Sequence, residues 1–362
     1  MKRRDLLTGA TALSAWLATG CQTLPASPAP SPAELIRLNA NENPYGPSPA
    51  AVKAAHRAAD RGAYYGFAAH GELRTVIAGQ LGTEPDAITL STGSNEVLCA
   101  AMAAWGGSGH ILAPALTYSA HLNYAERTGV TVRRIPMGGA QEISLAALEQ
   151  AVDDDTALVY VCNPNNPTGM KLDTDALRDF CRRVGRRAVV LVDEAYVELD
   201  ADPEAMTMLD RVAAEDNVII TRTFSKLHGL AGLRIGYAVA RPDLLVRIRE
   251  HVMSWPNAAG VAAAIASSQD AEFLAFSRRK IAEGRGMIGD IFQRNGLKYL
   301  NSHTNFVLSH VGVDTAPLRE KLRERGVLVT GGYSGYEDWL RVSVGRLEDI
   351  ETFGQIFDEV YG

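Results

Sequence analysis

At 362 residues, with 46% hydrophobic and 22% charged side chains, the chain has room for about two domains at roughly 150 residues each, and wholesale disorder is excluded. Lys+Arg 36 against Asp+Glu 42 leaves a net charge of −6, without the basic footprint that binding a phosphate backbone requires, so no nucleic-acid partner is expected. Cys21, Cys99, Cys162 and Cys181 form no C-x-x-C pair and have no partnered histidine spacing, so neither a metal site nor a disulfide framework is expected, and the last three read as small core residues.

The chain starts with a basic segment, residues 1–4, followed by an uncharged stretch over 6–20 that is short for a membrane-spanning helix. This pattern reads as a signal peptide over residues 1–20. Arg3-Arg4 followed by Asp5, Leu6 and Leu7 resembles the twin-arginine export motif, a route for folded proteins, and so implies a periplasmic location and cofactor loading before export. Ala18-Thr19-Gly20-Cys21 resembles a lipobox, with Leu17 four places before the cysteine instead of three. Both a lipid anchor at Cys21 and ordinary cleavage nearby stay open. Pro25, Pro28, Pro30 and Pro32 make residues 21–33 a stiff spacer, and the folded body is expected from about residue 34.

From residue 87 on, short apolar runs predict strands over 88–91, 111–114, 130–135, 157–162, 189–192, 217–221 and 235–240. Helical spacing lies between them, as over 174–184 and 243–251, and the alternation predicts a mostly parallel α/β sheet covered on both faces. After about residue 256 the rhythm changes. A long helix over 272–295, strands over 305–309, 327–330 and 340–344, and helices over 316–325 and 347–361 predict a smaller α+β domain. In open α/β sheets ligands bind outside the carboxyl ends of the strands, so motifs at those ends carry the most weight.

Three such motifs stand out. Residues 163–169, Asn-Pro-Asn-Asn-Pro-Thr-Gly, follow one predicted strand and by themselves read as a turn. Asp193-Glu194-Ala195-Tyr196 follows another, and its acids could be metal ligands, a cap or the partner of a ring nitrogen. The absence of a G-x-x-x-x-G-K-[ST] loop removes a nucleotide-magnesium reading. Arg222-Thr223-Phe224-Ser225-Lys226 leads into a glycine-rich segment with Arg234. Desolvation and a nearby cation both lower an amine's pKa, as a Schiff-base lysine needs, and Ser225 with Arg234 suits a phosphate.

In this order, and with Leu38-Asn39-Ala40-Asn41-Glu42-Asn43-Pro44-Tyr45-Gly46-Pro47 near the start, the chain from Leu35 to its end resembles the fold-type-I pyridoxal-phosphate aminotransferases of class I/II, within them the histidinol-phosphate aminotransferase group. The resemblance implies a large domain over 59–256 with a mostly parallel seven-stranded sheet, a small domain over 257–362, and an arm over 34–58 packing with the small domain. It implies pyridoxal 5'-phosphate held by Lys226 as a Schiff base, Asp193 on the pyridine nitrogen, and Asn166 and Tyr196 on the phenolate oxygen. Tyr118 would stack on the ring. Ser94 and Asn95 at a helix start, with Ser225 and Arg234, would hold the phosphate, joined by Tyr65 of a second subunit in a homodimer, with Tyr64 as a substitute. Arg341 would grip the substrate's anionic group, with Asn41 beside it.

Two departures concern the substrate. Thr330 stands where the histidinol-phosphate group usually has arginine, and Arg346 where it has threonine or serine. An exported enzyme is also an odd place for a step of histidine synthesis. An amino-acid transaminase using a 2-oxo acid such as 2-oxoglutarate is therefore expected, with Tyr333, Tyr336 and Trp339 hinting at an apolar or aromatic side chain. The alternatives are a decarboxylase or lyase resembling threonine-phosphate decarboxylase, and a non-catalytic envelope protein on the same fold.

Overall fold

The computed structural model of the chain describes residues 35–361; the expected leader, the Cys21 site and the proline-rich spacer lie outside the described residues. Its strands are β1 (Ile36–Leu38), β2 (Ile88–Ser91), β3 (His110–Pro114), β4 (Val132–Ile135), β5 (Thr156–Cys162), β6 (Val189–Asp193), β7 (Val218–Thr223), β8 (Gly236–Val239), β9 (Lys298–Tyr299), β10 (Phe306–His310), β11 (Val327–Tyr333) and β12 (Tyr336–Ser343). Seven of them form one sheet in the order β2-β8-β7-β6-β5-β3-β4, and five form a second in the order β1-β11-β12-β10-β9.

The seven-stranded sheet is parallel except at β8, which runs antiparallel to both β2 and β7. Its central strands are unbroken apolar runs because helices cover both faces. Strand alternation sends Val159, Val161, Val190 and Val192 toward one helical layer, which includes Leu177 and Phe180 of the helix Thr174–Val184. Leu158, Tyr160, Cys162, Leu191 and Ile219 face the other, where the helix Ser94–Gly106 packs through Leu98, Met102 and Trp105. Each fully buried Val or Leu contributes about 1.5–3 kcal/mol. The helix Thr174–Val184 is delimited locally as well: the Asp173 carboxylate accepts from the Ala176 amide at 2.9 Å, and Arg182 and Arg183 lie in the last turn against the carbonyl end of the dipole.

The second sheet differs from the sequence reading in extent. β11 runs to Tyr333 and β12 begins at Tyr336, where strands over 327–330 and 340–344 were predicted. Gly331-Gly332, just beyond the strand predicted over 327–330, is a bulge: the register shifts between Gly331 and Tyr333, and Gly332 takes a φ of 73° that other residues adopt with strain. The strand β1, not predicted, pairs in parallel with β11, Ile36 opposite Val327. The helix Pro49–Ala59, also not predicted, is capped by Ser48, whose hydroxyl accepts from Ala51, and packs along the helix Ala258–Ser268. The long helix Ala271–Arg294 and the closing helix Leu347–Tyr361 cover the second sheet through Ile281, Ile288, Phe292, Phe353 and Phe357.

β5, β6 and β7 finish side by side, with Cys162 opposite Asp193 and Asp193 opposite Thr221. The loops leaving these three ends build the site.

Candidate active site

Asp193 is the last residue of β6 and is 3% exposed. Thr221 Oγ1 on β7 donates to its Oδ1 at 3.1 Å, the Ala195 amide donates to the same oxygen at 3.2 Å, and Tyr160 Oη on β5 donates to Oδ2 at 3.2 Å. Burial pushes its pKa up to about 6, against the lowering effect of these hydrogen bonds and of the Lys226 charge. The neighbouring Glu194 does different work. It accepts from Arg222 at 2.8 Å, from Thr207 Oγ1 at 2.8 Å and from the Met208 amide at 2.7 Å, a buried ion pair that ties the end of β6 to β7.

Three residues beyond β7, Lys226 extends its amine to the carbonyl of Asn41 at 2.9 Å. Burial and the nearby Arg341 push its pKa down to about 8, with Asp193 and Glu42 acting in the opposite direction. The amine lies 5.4 Å from the centre of the Tyr196 ring. The loop is anchored from behind by Asn43, whose Nδ2 donates to the Leu227 carbonyl at 2.7 Å.

At the end of β2 the chain turns through Gly93, at a φ of 83°, into the helix Ser94–Gly106. First-turn amides have no intrahelical partner, and the dipole favours negative charge there. Glu96 folds back onto the Thr92 amide and hydroxyl, both at 2.7 Å. Arg234 closes the other side, its Nη1 donating to Ser225 Oγ at 3.4 Å. A Cβ at Gly93 would lie 2.3 Å from Arg234 Nη2, so glycine is needed for this guanidinium to approach the helix start.

Arg341, on the inner strand β12, is 8% exposed and enters the cavity from the second sheet. Its Nη1 donates to Asn166 Oδ1 at 2.7 Å and its Nη2 to the Asn39 carbonyl at 3.0 Å, while Nε is buried without a protein partner. Asn166 Nδ2 donates to Tyr196 Oη at 3.4 Å, and Asn41 Nδ2 to the same oxygen at 3.1 Å. Burial raises the Tyr196 pKa, which keeps its hydroxyl protonated. Tyr118 donates to Asn95 Oδ1 at 3.3 Å. Ser94, Asn95, Tyr118, Asn166, Asp193, Tyr196, Ser225, Lys226, Arg234, Arg341 and Asn41 thus line one cavity of about 580 Å³.

A family model described as aminotransferase class I and II matches residues 33–355. The chain belongs to this family. The aminotransferase is 34% identical over 331 residues to the histidinol-phosphate aminotransferase of Brevibacillus brevis, spanning 90% of both chains. It is 36% identical over 332 residues to that of Symbiobacterium thermophilum, spanning 91% of both. The crystal structure of histidinol-phosphate aminotransferase from Sinorhizobium meliloti in complex with pyridoxal-5'-phosphate superposes with a TM-score of 0.83 at 27% identity, covering 95% of this chain and 99% of that one. The architecture is fold type I, and the aminotransferase is pyridoxal-phosphate-dependent.

The site of this aminotransferase fits that cofactor chemically. It brings together an amine with a lowered pKa, a buried carboxylate and an arginine beside a helix start, in a cradle that one added Cβ would fill. Not every residue singled out from the sequence comes here. Tyr65 is 85% exposed, stacked on Phe67 at 5.4 Å, and neither it nor Tyr64 lines this chain's own cavity. Of the three aromatic residues tied to the substrate, Tyr333 lines the cavity, whereas Trp339 packs on His310 at 5.3 Å beside a separate surface cavity. The exposed Arg346 lies over the Tyr45 ring, and the Thr330 hydroxyl is committed to the Asn39 carbonyl at 2.8 Å. Cys162 and Cys181 are buried, but Cys99 is only partly so, and Cys162 Sγ lies 3.9 Å from Asp193 Oδ2.

Sequence reasoning passed over Tyr160, Thr221 and Asn43. A signal existed for the first two: hydroxyls at strand positions that burial on both faces would otherwise make apolar.

Proposed function

We propose that this aminotransferase moves the amino group of an α-amino acid to a 2-oxo acid such as 2-oxoglutarate, with Lys226 as the amine that holds the cofactor. The observation that carries the reading is the convergence of Lys226, Asp193 and two separate arginines, Arg234 and Arg341, on one cavity. Pyridoxal phosphate supplies an aldehyde that condenses with amines and a protonated ring that draws electron density from the substrate's Cα.

The chain's own groups do the rest. Arg234, Ser225 and the amides of Ser94 and Asn95 would hold the phosphate, and Asp193 would keep the ring nitrogen protonated. Asn166 and Tyr196 would donate to the phenolate oxygen, and Tyr118 would cover the ring. Arg341, with Asn41 beside it, would take the substrate carboxylate in its fork. Lys226 Nζ, as a neutral amine, would take the proton from the substrate's Cα. The resulting ammonium can keep its hydrogen bond to the Asn41 carbonyl.

An amino acid is favoured over histidinol phosphate because Lys226, Arg234 and Arg341 are the cavity's cations among the described residues, and neither Thr330 nor Arg346 adds one. Tyr333 supports an apolar or aromatic side chain. A panel of amino donors with 2-oxoglutarate, read by mass spectrometry, tests this; comparable turnover of histidinol phosphate and aromatic amino acids sinks the preference. Lys226→Ala is expected to lower transamination at least a thousandfold, on the order of what a positioned base and nucleophile contribute. Borohydride should then fix no cofactor to the chain.

The same reading includes a homodimer in which Tyr65, or Tyr64, reaches the neighbour's phosphate. The exposed cluster of Tyr65, Phe67 and Trp255, with the exposed Tyr64 next to it in sequence, supports it. A fully active monomer in sedimentation would count against it. Export by the twin-arginine route, with or without a lipid on Cys21, rests on residues 1–21 alone. Fractionation of cells carrying the Arg3-Arg4 pair or its Lys-Lys replacement tests it.

A further inference from the structure

We propose that Tyr160 is a positioning residue for Asp193, its hydroxyl holding Oδ2 in place and keeping the carboxylate ionised for the cofactor's ring nitrogen. The proposal rests on the reading of Asp193 as that nitrogen's partner.

Tyr160 is fully buried in β5, between Val159 and Val161 and two residues before the strand's carboxyl end. A hydroxyl there costs about 1–3 kcal/mol if left without a partner, so its presence on a doubly covered strand calls for one. The register supplies it. Tyr160 lies opposite Leu191, and Asp193, two residues further along β6, projects from the same face at diagonal reach. The hydroxyl donates to Asp193 Oδ2 at 3.2 Å.

The carboxylate is held from both sides. Oδ1 receives Thr221 Oγ1 from β7 and the Ala195 amide, whereas Oδ2 receives Tyr160 and otherwise faces the Cys162 thiol at 3.9 Å. That thiol is a weak donor. Removing the Tyr160 hydroxyl therefore leaves one oxygen of a buried carboxylate without a strong donor, and protonation becomes the cheaper way to satisfy it.

His121 keeps the tyrosine ring where it is. It is fully buried, meets Tyr160 edge to face at 4.4 Å and 66°, and lies 5.7 Å from Tyr118 on its other side. Burial pushes its pKa down to about 3, so it packs as a neutral ring and brings no positive charge to Asp193. Among the titratable groups around Asp193, the Cys162 thiol and the Tyr118, Tyr160 and Tyr196 phenols are all pushed toward their neutral forms by burial, and Lys226 is the facing cation.

The test is Tyr160→Phe, which keeps the ring and its packing. In cofactor-free protein with 13C in the aspartate side-chain carboxyls, the Asp193 resonance is identified by its loss in Asp193→Asn. It should titrate near pH 6 in the unaltered chain and about one pH unit higher in Tyr160→Phe. A merely structural tyrosine would change the unfolding temperature and leave that midpoint where it was. In the unaltered protein with 13C at tyrosine Cζ, the Tyr160 resonance should shift with the Asp193 midpoint, a reading that needs no variant to fold. In loaded Tyr160→Phe, kcat should fall about threefold at pH 6.5 and recover toward pH 8.5, with KM within about twofold. Full turnover in Asp193→Asn would overturn the assignment on which the proposal rests. An Asp193 midpoint unmoved in Tyr160→Phe, or a Tyr160 resonance indifferent to it, overturns the proposal itself.

Discussion

Arg341 Nη1 on β12 donates to Asn166 Oδ1 in the loop after β5 at 2.7 Å, joining the two sheets across the cavity. Because the guanidinium has only donors, this contact fixes which end of the Asn166 amide is oxygen and turns its Nδ2 toward Tyr196. One residue from the second sheet thereby orients a donor contributed by the first.

Replacing Arg341 tests that link. Arg341→Lys keeps the charge and loses the planar fork, so KM for the amino acid should rise by about 30- to 160-fold, the equivalent of the 2–3 kcal/mol expected of a charged, forked contact. Affinity for pyridoxal phosphate should change by less than about threefold. Steady-state kinetics beside a fluorescence titration of the cofactor separates the two, and unchanged kinetics would remove Arg341 from the substrate site.

With Lys226 as the proposed cofactor-holding amine, its lowered pKa, about 8, would set the pH dependence of cofactor capture. A neutral amine is the nucleophile, so the second-order rate of pyridoxal phosphate attachment should rise about tenfold per pH unit below 8 and level off above it. An ordinary lysine, with the 10.5 of a free side chain, would keep rising through pH 10. Stopped-flow absorbance on cofactor-free protein distinguishes the two profiles.

Asp193 links function to stability with the opposite sign from a surface salt bridge. Its folded pKa, about 6, exceeds the ordinary 3.8, so its favourable contribution is complete below about pH 4 and is lost as pH rises to 6, a loss of about 3 kcal/mol. Cofactor-free Asp193→Asn should therefore melt several degrees higher than the unaltered protein at pH 7.5 and show no such advantage near pH 4. Adding pyridoxal phosphate should reverse the order at pH 7.5, because on the proposed role of Asp193 the ring nitrogen would no longer meet a carboxylate. Calorimetry with and without cofactor checks both signs.

Gly93→Ala places a methyl against Arg234 and strains a φ of 83°. The expected result is a dissociation constant for pyridoxal phosphate at least about tenfold higher, with a stability loss of about 1–2 kcal/mol from the backbone conformation. Equilibrium dialysis reads the first and denaturant titration the second. Unaltered cofactor affinity would exclude the helix start from the phosphate site.

Much of the scaffold was legible because its signals are local. The runs at 157–162 and 189–192 are apolar wherever they are placed, and both strands formed within a residue of their expected limits. The strand predicted over 327–330 stopped short of Tyr333 because a glycine at positive φ serves a strand end and a bulge equally well, and only pairing with β12 shows that Gly331-Gly332 is a bulge. Helix Pro49–Ala59 has a clear Ser48-Pro49 start, and Ala51, Ala54, Ala55 and Ala58 recur at helical spacing; the sequence reading passed over it because so small an apolar face stands out little from the alanines around it.

Residue types and their order along the chain were enough to determine an α/β sheet, the motifs at its strand ends, and an amine, a carboxylate and arginines suited to pyridoxal phosphate. Tertiary structure alone decided that Arg341 meets Asn166, that Asn41 reaches both Lys226 and Tyr196, that Trp339 and Arg346 lie away from the cavity, and that Tyr160 supports Asp193. The physical reason is range: alternation and capping act over a few residues, whereas these contacts depend on strand register and on how the second sheet docks against the ends of the first.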